Sequence, residues 1–563
     1  MSHPSAVFAR ELIAALAERG VREVVLCPGS RSGPLAHALA EAGAGEPPLG
    51  APRIGLHVRI DERSAGFLAL GLARGAAAAG EPRPVAIVTT SGTAVGNLLP
   101  AAMEAHHSGV PLLLLTADRP AELRGVGANQ TTDQAGIFGT FVRWEQDVAA
   151  PEEGAGPGRA TELADRAVRA ALGDDARDDM AAAPGPVHLN LAFREPLGAD
   201  GGLWGAPPSV ERARTGGVPA VDVAGGDARA AAPLPAVARG VVIAGDGAGD
   251  AARQVAEAHG WPLLAEPTSG ARAGEACIPD YVRLLESEAG RDLAARVHQV
   301  VVIGRPTLTR AVQALIARAP ALYVAAFGAR WREAPAHALA VVRSVPESWC
   351  WSASPGAVDP EWLAAWRAGG GRPQVPEGWN GKVIAASFLE ALERGAYRGE
   401  GDPPLAVVGS SGPIRALDRI MPAARNGRRP VLLANRGLAG IDGTVATAVG
   451  VALACETPVL ALMGDVTFLH DAGGLLVGPR ERRPRLRVVV VNDGGGRIFS
   501  GLEHAAAPAA HVERVFTTPH GADLGALCAG YRAAHVAVRS REELAAALAA
   551  PVEGVEVVEA VVG

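Results

Sequence analysis

Short runs of Val, Ile and Leu recur along the chain. Strand after strand closes in a turn containing Gly or Ser, and stretches with helical spacing alternate with them. VREVVLCPG (21–29) reads as a strand and turn, with a helix from Ser32. IGLHVRID (54–61) is a second strand, entering a helix at Glu62. PVAIVTTSG (84–92) leads into a helix from Thr93, and VPLLLLTADRP (110–120) is a fully buried strand. The pattern continues in GVVIAGDGAGD (240–250) and VVVIGRP (300–306). It returns in PLAVVGSSGP (404–413), PVLALMGD (458–465) and LRVVVVNDGGG (486–496). Unbroken apolar strands alternating with helices are the mark of parallel βαβ units covered on both faces. Two stretches interrupt the alternation: 195–240, dense in Gly, Pro and Ala, and 368–381. The expectation is an α/β chain of three doubly wound parallel-sheet domains, over 1–195, 196–375 and 376–563. In open sheets of this kind ligands bind at the carboxyl ends of strands, so the turns are where chemistry is sought.

Composition narrows the classes. The chain has 563 residues, enough for several cores, and a formal net charge of −7 with few aromatics, which argues against nucleic acid as the main partner. One lysine, Lys382, stands among 53 basic residues. Chemistry needing a lysine amine has only Lys382 to use, and Asn380-Gly381-Lys382-Val383 fails the Gly-Lys-Ser/Thr of a phosphate-binding loop. No apolar run reaches the roughly 18 residues of a membrane span. Residues 8–20 place Arg10, Glu11, Glu18 and Arg19 among apolar positions, as an amphipathic helix does and a secretion signal does not. Five scattered cysteines without a CxxC predict free thiols and a cytoplasmic location.

The most informative pair lies in the last segment. Gly464-Asp465 closes one buried strand and Asn492-Asp493-Gly494 closes a later one. A carboxylate and a second oxygen ligand at neighbouring strand ends can hold Mg²⁺, which takes oxygen ligands and shares its shell with phosphates. The glycines that follow let backbone groups approach a diphosphate. Each short motif alone is ordinary turn chemistry; the spacing of the two, each after an apolar strand, sets them apart. That spacing resembles the thiamin-diphosphate (ThDP) motif. The resemblance implies a glutamate on another domain that hydrogen-bonds the cofactor's aminopyrimidine. Glu62, in Arg59-Ile60-Asp61-Glu62-Arg63-Ser64, is the candidate, at a strand-to-helix junction where the helix dipole also favours an acid.

Six further motifs narrow the family: Pro28-Gly29-Ser30-Arg31-Ser32, IDERSAGF (60–67), TSGTAVGNLLPA (90–101), LTADRPAELRGVGANQT (115–131), NRGLAGIDG (435–443) and NDGGGRIFS (492–500). Together they resemble the synthases that make 2-succinyl-5-enolpyruvyl-6-hydroxy-3-cyclohexene-1-carboxylate (SEPHCHC) in menaquinone biosynthesis. The likeness is strong in the first and last segments and weak in the middle one. It implies the ThDP-binding fold, with a pyrimidine-binding domain (1–195), a central domain (196–375) and a diphosphate-binding domain (376–563). It implies ThDP and Mg²⁺ as cofactors, with Mn²⁺ able to substitute. The implied reaction is decarboxylation of 2-oxoglutarate and 1,4-addition of the succinyl carbanion equivalent to isochorismate, giving SEPHCHC and CO₂.

The same resemblance assigns residues. Glu62 is the catalytic acid–base group. Ser411, Gly440, Ile441, Gly464, Asp465, Asn492, Gly495, Ile498 and Phe499 would hold the cofactor, with Ile441 as its prop and Ile498 and Phe499 as apolar walls. Ser30, Arg31, Arg119, Asn129 and Gln130 would face isochorismate. Ser411, Arg415 and Arg436 would hold carboxylates, with Arg436 nearest the isochorismate end. In the 304–310 loop Arg310 is favoured over Arg305. For the metal, counting forward from Asp465 points to Asn492. Counting back from Ile498-Phe499 points to Asp493, with Gly495 giving a carbonyl; both stand. Two dicarboxylate substrates ask independently for forked cations, which arginine supplies. A homodimer or homotetramer is implied, because in the family the glutamate-bearing domain of one chain completes the diphosphate domain of another.

Two alternatives compete. Another ThDP-dependent 2-oxoacid decarboxylase, or an acetolactate-synthase-like carboligase, would take a substrate with one carboxylate and would not need Arg31, Arg119, Arg415 and Arg436 together. A nucleotide-binding regulatory protein would rest on GDGAGD (245–250), half of a dinucleotide fingerprint. Cys27, His106-His107 and His470-Asp471 read as structural: a cysteine ending a buried strand is usually core, and adjacent histidines on a helix do not face one metal.

Overall fold

The structure is a computed structural model, describing residues 3–153, 158–174, 184–204, 232–325, 334–351, 359–395, 404–424, 430–455 and 457–562. Most of the 195–240 stretch thus lies outside the described residues. The first sheet contains β1 (Glu23–Leu26), β2 (Gly55–Val58), β3 (Val85–Thr89), β4 (Leu112–Asp118), β5 (Glu145–Val148) and β6 (Val187–Ala192), in the order β2-β1-β3-β4-β6-β5. The second contains β7 (Gly240–Ala244), β8 (Leu263–Ala265), β9 (Gln299–Ile303), β10 (Leu322–Ala325) and β11 (Ala340–Val342), in the order β8-β7-β9-β10-β11. The third contains β12 (Leu405–Val408), β13 (Val431–Leu433), β14 (Val459–Gly464), β15 (Leu486–Asn492), β16 (Ala534–Val538) and β17 (Val555–Val561), in the order β13-β12-β14-β15-β17-β16. Every ladder is parallel. The first and third sheets share one strand permutation. In all three the chain reverses direction across its first strand. That leaves switch points at β1/β3, β7/β9 and β12/β14, the places where such sheets bind ligands.

By contact density the chain forms two compact units. One gathers Met1–Pro219, Asp442–Glu456 and His470–Arg485; the other gathers Ala220–Ile441, Thr457–Leu469 and Leu486–Gly563. Within the first unit, the helix Thr444–Ala454 packs on the helix Glu62–Ala78 at close range. A Cβ on Gly71 would sit 2.1 Å from the Thr447 carbonyl oxygen, and one on Gly450 would sit 2.2 Å from that of Leu68. Only glycine permits this approach, so the small residues of these helices are packing residues. Asp471 locks the pair, accepting hydrogen bonds from the Ala446 N–H (2.7 Å) and the Ser64 hydroxyl (3.3 Å). Burial pushes its carboxyl up to about 6. His470-Asp471 is therefore structural.

The N-terminal helix, Pro4–Glu18, is buried more completely than an amphipathic reading expects. Arg10 is only 6% exposed and forks onto Asp200 with contacts of 2.9 and 3.2 Å. That guanidinium holds the Asp200 carboxyl well below the usual range. In the second unit, the helix Pro360–Gly370 runs into the 368–381 stretch, so the break begins only at Gly371. The GDGAGD turn makes paired backbone hydrogen bonds between Asp246 and Arg305 (2.9 and 3.1 Å), docking the β7 turn on the β9 turn. No described helix is long and apolar enough to cross a membrane, and the five cysteines are unbridged.

Candidate active site

The carboxyl ends of β12, β14 and β15 enclose a cavity of about 530 Å³, at the switch point of the third sheet. Ser411, Arg415, Gly464, Asp465, Asp493, Gly495 and Ile498 line it, as do Lys382, Arg419 and Arg497. The alternation of a strand explains which of two neighbours faces inward. Asp493 lines the cavity; Asn492 instead donates to Glu559 Oε1 (2.6 Å) and accepts from the Gly494 N–H (3.1 Å). Asp465 is buried and accepts from the Gly495 N–H (2.8 Å). Burial first, and then the Asp465 carboxylate, push Asp493 up to about 6. Gly495 is required where it stands: its φ is +142°, and a Cβ there would lie 2.3 Å from the Thr517 carbonyl oxygen.

Two converging carboxylates that repel one another are a site for a hard cation, and the surrounding charge suits a diphosphate. Ser411 precedes the helix Gly412–Ile420 without a side-chain capping bond, the first turn of that helix faces the cavity, and Lys382, Arg415, Arg419 and Arg497 outnumber the two acids. Among the described residues no three His, Cys, Asp or Glu side chains could hold a metal alone. The donor set fits Mg²⁺, which is commonly held by one or two carboxylates with phosphate oxygens completing its shell. Sequence reasoning missed His520, whose Nε2 lies 3.1 Å from Asp465 Oδ2. A lone histidine in a loop gave it no signal. It also missed Lys382, placed at the cavity by the helix Gly381–Arg394, which Asn380 caps.

Arg415 and Arg436 form a guanidinium pair. Arg415 donates to the Ser410 and Ser411 carbonyls (3.2 and 3.0 Å). Arg436, 1% exposed, donates to the Thr307 hydroxyl. Burial and the Arg436 charge lower the Arg415 pKa, opposed by Glu266 and Asp418. Arg436, Gly440, Ile441, Asn492 and Phe499 are not among the residues lining the cavity. Arg310 is 81% exposed in its side chain and pairs with Glu503 at 3.1 Å. It belongs to an exposed ion pair at the start of the helix Arg310–Ala317, away from the cavity lining.

A second pair stands in the first unit, at the ends of β1 and β4. Arg31 donates to the Phe193 carbonyl (2.8 Å), and its buried Nε has no hydrogen-bond partner. Arg119 donates to the Ser91 hydroxyl and to the Gln130 carbonyl (2.8 Å). Burial and the Arg31 charge lower the Arg119 pKa, opposed by Asp118. Gln130 has a φ of +56° and is held there through Ser91, which donates to its carbonyl (2.9 Å) and accepts from its side-chain amide (2.9 Å). Ser30 and Asn129 are exposed beside this pair in sequence. Beneath the loop lies buried Gln134, which sequence reasoning passed over. It accepts from the Gly92 N–H (2.8 Å) and donates to Asn190 (2.9 Å), which donates in turn to Asp118 (2.9 Å).

Glu62 opens the helix Glu62–Ala78, but the capping is done by Asp61, which accepts from the Arg63 and Ser64 N–H groups (2.9 and 3.2 Å). Glu62 accepts a long hydrogen bond of 3.5 Å from the Asn97 amide and stays half-buried. The helix therefore has its cap without Glu62. Cys27 is buried; burial and the nearby Glu62 and Asp61 carboxylates push its thiol up to about 12. It is inert core.

Two family models match the chain: the thiamine pyrophosphate enzyme N-terminal TPP-binding domain over residues 7–137, and the corresponding C-terminal TPP-binding domain over 418–560. Curated SEPHCHC synthases are similar over nearly the whole length. That of Nocardioides sp. is 45% identical, covering 98% of this chain and 94% of its own. That of Paenarthrobacter aurescens is 46% identical, covering 98% and 93%, and that of Kineococcus radiotolerans is 46% identical, covering 99% and 96%. Among solved structures, benzoylformate decarboxylase from Polynucleobacter necessarius shares the fold, with a TM-score of 0.65 at 16% identity over 98% of each chain. The chain belongs to the SEPHCHC synthase family of thiamine pyrophosphate enzymes.

Proposed function

We propose that this chain couples loss of CO₂ from 2-oxoglutarate to 1,4-addition of the remaining four-carbon unit to isochorismate, giving SEPHCHC. The observation that carries the reading is the pair of arginines in each unit: Arg31 with Arg119 in the turns after β1 and β4, and Arg415, in the first turn of the helix after β12, with Arg436 after β13. Buried like charges weaken each other unless an anion lies between them. Two dicarboxylate substrates supply such anions; a single monocarboxylate does not.

Bound ThDP would supply the electron sink that a 2-oxo acid needs to lose CO₂. Glu62 would hold a proton at the aminopyrimidine N1′ atom. Ser411 and the first turn of its helix would take the diphosphate. Asp465, Asp493 and the Gly495 carbonyl would hold Mg²⁺, or Mn²⁺ in its place. Ile498 and Phe499 would exclude water. Arg415 and Arg436 would grip substrate carboxylates, and Ser30, Arg31, Arg119, Asn129 and Gln130 would orient isochorismate. Following the family, Glu62 of one copy would serve the cavity of another, in a cytoplasmic homodimer or homotetramer.

The choice of metal ligand is open to a direct measurement. Asp493→Ala should weaken Mg²⁺-dependent ThDP binding at least about tenfold, because a charged ligand is removed. Asn492→Ala should leave that affinity within about threefold and instead lower stability by about 1 kcal/mol, the worth of its bond to Glu559. Calorimetric titration of both variants decides; equal losses of affinity would return Asn492 to the metal.

The function itself is tested at Arg415. Arg415→Ala should raise the KM for 2-oxoglutarate by about tenfold to about 150-fold, as loss of a charge-assisted hydrogen bond costs about 1.5–3 kcal/mol. An unmoved KM would remove Arg415 from the substrate site.

A further inference from the structure

Glu266 is a buried acid with no part in the proposed function. It follows β8, is 1% exposed, and sits where the second and third sheets of the second unit meet. Its Oε1 accepts the Thr307 and Leu308 N–H groups, both at 2.8 Å, which fixes the loop after β9. The hydroxyl of the same Thr307 accepts from Arg436. Its Oε2 is buried with no hydrogen-bond partner. A short relay therefore runs from Glu266 through Thr307 to a guanidinium that the proposed function places on substrate.

Several titratable groups face Glu266. Arg415 and Asp418 face it from the helix Gly412–Ile420, Arg436 from the turn after β13, and Tyr281 from the helix Tyr281–Glu286. Arg272 closes the group, donating to the Ala265 carbonyl next to Glu266 (2.7 Å) and to Asp418 (3.1 Å). Resting on the proposed function, we infer that Glu266 is a positioning residue of the carboxylate clamp: it aims Arg436 through Thr307, and its protonation state sets the net positive charge that Arg415 and Arg436 offer to substrate.

Burial, with the Asp418 carboxylate adding to it, raises the Glu266 carboxyl to about 8, against the pull of the two N–H donors and Arg436. At neutral pH the group is mostly protonated, and the two arginines keep their full charge for an incoming carboxylate. Above that pH, Glu266 becomes an internal anion competing with substrate for the same guanidiniums.

Three variants test this in the full-length chain with ThDP and Mg²⁺ present. Glu266→Gln keeps an acceptor for both N–H groups and mimics the protonated acid. Its KM for isochorismate should stay close to wild type at pH 7 and remain flat to pH 9, where the wild-type KM climbs at least threefold. Glu266→Ala removes the acceptor and should raise that KM at least tenfold at both pH values, with ThDP affinity within twofold. A purely structural residue would not give the flat profile in the glutamine variant. If Glu266→Ala does not fold, the glutamine profile decides alone. The inference is overturned if the glutamine variant follows the wild-type rise, or if a folded Glu266→Ala keeps a wild-type KM. Arg436→Ala separates the two levels: a KM unchanged for both substrates removes the clamp itself. A raised KM there, with Glu266 variants unaffected, removes only the role given to Glu266.

Discussion

Glu62→Gln should lower kcat by about 10²–10⁴-fold, the usual worth of a positioned acid–base group, while ThDP affinity moves no more than a few-fold. An acid at a helix start can be there for the dipole or for the cap. Here Asp61 caps the helix, and Glu62 is left half-buried with one long contact to Asn97. Glutamine preserves size and hydrogen-bonding capacity but cannot hold or release the proton. Steady-state kinetics together with calorimetric ThDP titration check the split. A kcat within threefold of wild type would take Glu62 out of the chemistry.

Asp418→Ala should lower stability by about 3–5 kcal/mol, the cost of leaving a buried charge without its partner. Arg272 and Asp418 are both about fully buried and lie 3.1 Å apart, and the Tyr281 hydroxyl donates to Asp418 (2.8 Å). Arg272 also donates to the Met421 carbonyl (3.0 Å), fastening the second sheet's surroundings to the helix that carries Arg415. Burial raises the Asp418 carboxyl, while Arg272 and Tyr281 pull it down. Asp418→Asn, which keeps an acceptor for Tyr281, should lose less than the alanine variant. Denaturant unfolding of the two variants measures this; a loss below 1 kcal/mol in Asp418→Ala would mean that the cluster is not what joins these elements.

The sheets were legible because unbroken apolar strands followed by Gly- or Ser-bearing turns have few other outcomes in an α/β chain. GD at the end of β14 and NDGGG at the end of β15 could be placed at strand ends for the same reason. What the sequence could not decide was orientation one residue at a time. Asn492 and Asp493 are neighbours with similar chemistry, and only the direction of the strand end separates the Glu559 side from the cavity side. Arg310 had the right residue type in a plausible loop, yet an acid distant in sequence, Glu503, meets it in the open. Glu266 and Gln134 were invisible for a different reason. Each acts through backbone groups of loops far along the chain, and no local motif marks such a residue.

If two dicarboxylates meet here, the decisive assay is CO₂ release and product formation from 2-oxoglutarate, followed with and without isochorismate, with ThDP and Mg²⁺ supplied or withheld. SEPHCHC should form only when both substrates and both cofactors are present, with one CO₂ released per product. Turnover of pyruvate at comparable efficiency, or product formation without ThDP, would contradict it.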